Sequence, residues 1–273
     1  MPYPIAKLPY GLRCRLSDLS THLERYNLQI AAGGASICPP SLQALKKTLK
    51  ISCEYHETWS FYNNSQTPIN FQHQTRLLFC DNEITMAGAT LQSLESEDFK
   101  SFLMRPKKLN LEDCYLSKSL LSKLSALTNN SVTDVFFWYA TNDDYKLNLA
   151  DLITSFPKME SIAVQYVSLS KTWMADLLKL EQNPLMKLQI VTSEKHLTPF
   201  SVHDLMVFLR AQQSGFHLYF ILMSSNKIES FFVSLSSELH KTELIAGGEM
   251  ESQFTRITFI CPKLDQTWHL PNQ

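Results

Sequence analysis

Histidines and cysteines are the residues of this chain best suited to metal binding or nucleophilic chemistry, and it has eight of the first and six of the second. The cysteines are Cys14, Cys38, Cys53, Cys80, Cys114 and Cys261, and none forms a C-x-x-C pair. Cys53-x-x-His56 offers two ligands where zinc takes three or four, so it reads as a pair of strand residues. His240 and Glu243 read as a surface pair at a helix end. Asp81, Glu83, Asp143 and Asp144 fall in turn-like stretches, with no G-x-S-x-G or H-E-x-x-H beside them. Spacing supplies no Ser–His or Cys–His couple. The chain has 7 Gly, and neither G-x-G-x-x-G nor G-x-x-x-x-G-K-[ST] occurs, which argues against nucleotide-phosphate sites. No catalytic residue, metal or cofactor is expected. An α/β enzyme stays as a distant alternative, recognisable by a deep polar pocket with converging titratable groups.

The elements around these residues belong to a chain able to bury a core. It has 273 residues, 44% hydrophobic and 19% charged, enough for one or two domains. A net charge of -1 and a pI near 6.7 argue against a general nucleic-acid binder, which needs a basic excess. The N-terminus lacks an apolar signal-peptide core. No apolar run approaches the ~20 residues that span a bilayer. An intracellular protein, cytoplasmic or nuclear, with reduced thiols and no membrane contact is expected.

Three zones follow one another. In residues 1–34, Pro9 opens a helix with Leu12, Leu16 and Leu19 on one face. Thr21-x-x-Glu24 is a capping box for a second helix, which Gly33-Gly34 ends. Residues 35–70 are a connecting helix and cap: Ser41 caps a helix to Leu49, with Leu42, Leu45 and Leu49 on one face. Ile51–Tyr62 is strand-like, and 63–66 is a turn.

Residues 71–270 repeat. Apolar residues at the fourth and sixth places, and a small or apolar one at the ninth, recur in seven windows. These are 74–82, 106–114, 132–140, 159–167, 185–193, 215–223 and 254–262. Their fourth residues are Leu77, Leu109, Val135, Ile162, Leu188, Leu218 and Ile257. Each window alternates like a half-buried strand. Helix-like stretches lie between them, capped at Asn148 and Ser201, with Ser117 and Ser170 preceding two others. A strand and a helix repeating every 26 to 30 residues, with the best copies close to L-x-x-L-x-L-x-x-[NC]-x-L, predict an irregular leucine-rich-repeat solenoid. Its parallel sheet would line the concave face.

The N-terminal residues Leu8-Pro9, Leu12, Leu16, Leu19-Ser20, Leu23, Arg25, Leu28 and Ala31-Ala32 resemble an F-box. The stretch covers about 30 residues and is similar to the diversified nematode F-box proteins, in which a shortened F-box precedes a divergent repeat region. The resemblance implies a substrate-recognition subunit of a Skp1–cullin–F-box ubiquitin ligase. Leu8, Pro9, Leu12, Leu16, Leu19, Leu23 and Leu28 would dock on a Skp1-like adaptor of the cullin complex. The repeat region would hold a target protein for ubiquitination and degradation. The same leucines also fit a cap that closes the first repeat, which leaves open a non-enzymatic repeat scaffold without ubiquitin coupling.

In each window the odd neighbours of places four and six face away from the core. At the fifth place these are Leu78, Asn110, Phe136, Ala163, Gln189, Tyr219 and Thr258. At the seventh they are Cys80, Glu112, Trp138, Gln165, Val191, Ile221 and Ile260. Exposed aromatics are preferred interface anchors, so Phe136, Trp138, Tyr166 and Tyr219 are the expected target contacts. The alternative is that the C-terminal segment folds over them.

Overall fold

The computed structural model describes residues 5–32, 43–71, 76–142, 144–180, 183–223, 226–247 and 253–271. Two helices open the chain, α1 (Tyr10–Leu19) and α2 (His22–Ala32). The predicted capping box is formed: Thr21 N–H donates to Glu24 Oε2 at 2.8 Å, and Glu24 N–H donates to Thr21 Oγ1 at 3.3 Å. The Thr21 N–H and the Thr21 hydroxyl, which both donate to Glu24 Oε2, hold the Glu24 carboxyl below its ordinary range. Arg25 Nε and Nη2 donate to the carbonyls of Ser17 and Ser20, so one cation closes the end of α1 and ties α2 to it. The expected stop at Gly33-Gly34, and Cys38, Ser41 and Leu42, lie outside the described residues.

The expected helix ending at Leu49 is absent; its described part is strand. β1 (Leu45–His56) and β2 (Thr58–Asn63) form an antiparallel hairpin. Leu45 and Leu49 fit a helical face, but they are exposed. The apolar residues that are buried, Ile51 and Cys53, follow the two-residue period of a strand. A β-bulge between Thr48 and Lys50 separates the two registers.

The remaining strands are β3 (Leu77–Ala87), β4 (Phe102–Met104), β5 (Lys108–Cys114), β6 (Asp134–Ala140), β7 (Ser161–Gln165), β8 (Lys187–Thr192), β9 (His217–Leu222), β10 (Ile245–Ala246), β11 (Arg256–Cys261) and β12 (Leu264–His269). Between them lie α3 (Lys118–Leu127), α4 (Leu149–Ser155), α5 (Trp173–Leu178), α6 (Val202–Arg210) and α7 (Asn226–Leu239). The fold is mixed α/β, with one mostly parallel sheet in the order β10-β12-β11-β9-β8-β7-β6-β5-β3-β1-β2 and β4 beside β3. From β3 to β9 each strand after β4 pairs with its predecessor in the main sheet. The strand order never reverses there, as it would in a doubly wound sheet.

Two buried ladders cross the sheet. Ile51, Ile84, Leu109, Val135, Ile162, Leu188, Leu218 and Ile257 stand opposite one another. Cys53, Met86, Leu111, Phe137, Val164, Ile190, Phe220 and Phe259 do so two residues on. All are buried and belong to one core with the helix leucines, such as Leu120, Leu124, Leu152, Leu177 and Leu209. The caps Asn148, Ser117 and Ser201 each accept hydrogen bonds from the first helical turn.

This register corrects the first window. Ile84, not Leu77, stands beside Leu109, so the unit is 81–89 rather than 74–82. Leu77 satisfied the pattern because β3 is 11 residues long and its first half pairs with β4.

In the corrected window the eighth residue is Gly88, with φ of 70°. A Cβ there would lie 2.7 Å from the Tyr55 carbonyl oxygen, so both the left-handed backbone and the close approach demand glycine. Gly88→Ala is expected to lower stability by about 2–3 kcal/mol, read as an earlier midpoint in urea unfolding. An unchanged midpoint would show that the β1–β3 contact can relax.

Candidate functional site

The sheet face away from the helices carries the third, fifth and seventh residues of each strand. The fifth-place row is Ser52, Thr85, Asn110, Phe136, Ala163, Gln189, Tyr219 and Thr258. The seventh-place row is Glu54, Ala87, Glu112, Trp138, Gln165, Val191 and Ile221, with Ile260 last. Leu78 and Cys80, expected on this face, are buried; the shifted register puts Thr85 and Ala87 there instead.

Of the four expected contact residues, three come together. The rings of Phe136 and Trp138 are 6.2 Å apart, and Trp138 lies 6.4 Å from Tyr139. Tyr139 stacks on Tyr166 at 4.8 Å, and Tyr166 meets His196 at 6.1 Å. Trp138 and Tyr139 are 42% and 44% exposed, and Phe136 and Tyr166 are half-buried. No described part of the C-terminal segment covers Trp138. Tyr219 does not join them. It stands on β9, three strands from β6, with the His217 ring at 3.4 Å and Lys187 Nζ 5.0 Å above its own ring.

Tyr139 and Tyr166 reach this face through their backbone. Strict alternation would turn the eighth residue toward the core. Gly88, Asp113, Tyr139 and Tyr166, all eighth-place residues, instead have φ of 70°, 49°, 57° and 53°. Each left-handed residue falls within one position of its strand's end, and at Tyr139 and Tyr166 it puts the side chain on the aromatic cluster. For a non-glycine residue that conformation costs about 1–2 kcal/mol, and the Tyr139–Tyr166 stack returns about 0.5–1.5 kcal/mol. No residue type announces this turn, although the sequence places Tyr139 next to Trp138.

Charge differs across the face. Toward β1 stand Glu54, Asp113 and Glu112, the last opposite Trp138, and Glu112 has its carboxyl raised by burial and by the negative charges of Asp113 and Glu54, against Lys50. Toward β12 the third-place groups are the cations Lys187 and Arg256 and the imidazoles of His217 and His269, the last opposite Arg256 on β12. Those four were not found from sequence, where only the fifth and seventh places were read outward. His217 is 7% exposed. Burial, together with the positive charges of Arg256 and Lys187, pushes its pKa down to about 3.

The N-terminal residues form a second surface. Leu12, Leu16 and Leu19 are 54%, 37% and 76% exposed. Pro9 is exposed, and Leu8, Leu23 and Leu28 are half-buried. Ile5, Leu16, Ser17 and Leu28 line a small apolar hollow between the helices.

The chemistry-bearing residues stay apart. Cys53 is buried and His56 exposed. Glu243 pairs with Arg210 at 2.6 Å, while His240 meets Gln266, which corrects the expected His240–Glu243 pair. Asp81 and Glu83 lie in β3 rather than in a turn, paired with Lys47 and Lys50 at 2.5 and 2.7 Å. Asp144 is exposed, and Asp143 lies outside the described residues. Among the described residues no group of three or more His, Cys, Asp or Glu could hold a metal ion, and no helix is long and apolar enough to cross a membrane. No protein-family model, no curated protein and no solved structure matches the chain.

The depressed His217 pKa carries a linkage prediction. Unfolded histidine takes a proton near pH 6.5, while folded His217 refuses it until about pH 3. Its contribution to stability is therefore complete above pH 6.5 and is lost as pH falls from 6.5 toward 3. Wild type is expected to lose stability more steeply than His217→Gln between pH 6.5 and 4, measured by urea unfolding at each pH. Equal slopes would place the imidazole in water.

Proposed function

We propose that the chain is a substrate-recognition subunit of a Skp1–cullin–F-box ubiquitin ligase. It would be built as an F-box-like pair of helices joined to an irregular leucine-rich-repeat solenoid. The observation that carries this reading is the exposure of Leu12, Leu16 and Leu19 on α1. Three leucines left in water on one short element favour a partner surface over a structural cap, because a cap would bury them. On this reading Leu8, Pro9, Leu23 and Leu28 frame the adaptor contact. Phe136, Trp138 and Tyr166, with Tyr139 beside them, contact the target, and Tyr219 takes part only if the target extends to β9. The chain itself catalyses nothing. It raises the concentration of target near a ubiquitin-charged enzyme. The second reading, a repeat scaffold without ubiquitin coupling, keeps the aromatic face and drops the adaptor.

The test is binding of the full chain to purified Skp1, wild type against Leu12→Glu combined with Leu16→Glu. Leu12 is 54% exposed, whereas Leu16 also lines the hollow between the helices, so the thermal midpoint of the double variant is measured alongside to establish that it is folded. The adaptor reading expects binding by wild type and its loss in the folded double variant. Failure of wild type to bind overturns it and leaves the scaffold. In either case Trp138→Ala is expected to weaken target capture by at least tenfold, the cost of about 2 kcal/mol usual for an aromatic anchor.

A further inference from the structure

The third-place row divides in two. On one half, Lys50, Glu83, Lys108 and Asp134 alternate in sign, and Lys50 pairs with Glu83 at 2.7 Å. On the other half, Lys187, His217, Arg256 and His269 stand opposite one another on β8, β9, β11 and β12. With strands ~4.8 Å apart, these four span ~14 Å. Among the described residues no carboxylate pairs with Lys187 or Arg256. The acid of β12, Asp265, stands opposite Ile260, ~13 Å along the strand from Arg256.

Among the described residues, three nitrogens of this row are buried without a hydrogen-bond partner: His217 Nδ1, Arg256 Nε and His269 Nδ1. His217 and His269 are only 7% and 4% exposed. Buried polar groups are ordinarily paired, so three orphans in adjacent registers call for a ligand group. The side chains are also fixed in place. His217 Nε2 meets Thr258 Oγ1 at 2.7 Å, and Thr258 Oγ1 meets Thr267 Oγ1 at 2.9 Å. Tyr219 stacks on His217, and Phe254 lies 5.6 Å from the His269 ring. If Thr258 donates to Nε2 and accepts from Thr267, His217 keeps its proton on Nδ1 and can donate while neutral.

We propose that this row is an oxyanion site that takes a phosphate or carboxylate group. Arg256 is its charged anchor, the His217 and His269 imidazoles supply N–H donors, and Lys187 stands at the rim. An oxyanion supplies what all three orphan nitrogens lack, since it accepts several hydrogen bonds and its charge faces Arg256. The site is independent of what docks on α1. It gives the open face a polarity: a ligand lying across the strands would place its acidic group on β9–β12 and its apolar part toward Trp138.

The test is titration of inorganic phosphate into the full chain at constant ionic strength, followed through the imidazole NMR signals. Saturable shifts are expected for His217 and His269 and not for the exposed His203. Arg256→Gln should weaken phosphate binding at least tenfold. Lys187→Gln, an exposed change that keeps the fold, should weaken it about threefold. Shifts equal to those in chloride, or unchanged affinity in Lys187→Gln and in folded Arg256→Gln, would overturn the site. Once phosphate binds, a phosphoserine peptide and a glutamate peptide of equal length identify the source of the group by which binds more tightly.

Discussion

The structure depends on eight strands keeping one register. A single strand–helix unit has a helix face and two inward strand residues, too little apolar surface to pay for ordering its own backbone. Stacked in register, Ile51 through Ile257 and Cys53 through Phe259 make two unbroken apolar rows under the helices. A slip of one residue anywhere would send a row into water and bring the polar row inward. The charged residues at the third place, Lys50 through Arg256, would then be desolvated. The register is therefore held by the whole row rather than by any one contact.

A stack of this kind has ends, and both are finished with hairpins. β1–β2 closes one side, and the backbone of Thr67 and Ile69 bonds to Asn63 and Phe61 along the outer edge of β2. β11–β12 and the two-residue β10 close the other. Short or covered edges leave little free strand for another chain to pair with. The wide interval before Ile257 holds α7, whose Phe232 packs on Phe220 and Phe259. The helices α1 and α2 are not part of the repeating stack, though α2 packs beside β3 and β4. They are braced by Arg25 and the capping box, and Leu12, Leu16 and Leu19 of α1 stay exposed.

The same alternation that builds the core also builds the open face. Every inward residue is flanked by two outward ones, so the register that aligns leucines also aligns Phe136 beside Ala163 and Trp138 beside Gln165. It lines up Lys187, His217, Arg256 and His269 as well. The result is a varied surface, with charges of both signs on β1 to β6, the aromatic cluster on β6 and β7, and Lys187, His217, Arg256 and His269 in one row from β8 to β12. Such a surface discriminates ligand orientation more than it adds affinity.

Period and chain punctuation were legible in the sequence. The two-residue alternation of Leu109-x-Leu111 or Ile162-x-Val164, the caps Ser117, Asn148 and Ser201, and the Thr21–Glu24 box are local. Each follows from what neighbouring residues do to one another. They determined the α/β class, the succession of strands and helices, and the outward fifth and seventh places of β5 to β9. What needed the tertiary structure was every choice between two locally acceptable readings. Leu45 and Leu49 fit a helix, but pairing of Ile51 with Ile84 makes their segment a strand. Leu77 fits the repeat, but Ile84 is the residue that finds Leu109. Tyr139 belongs by alternation to the core, but a left-handed turn puts it on the aromatic cluster. The orphan nitrogens of His217, Arg256 and His269 lie on three strands up to 52 residues apart in sequence, and only strand pairing across the sheet makes them one site.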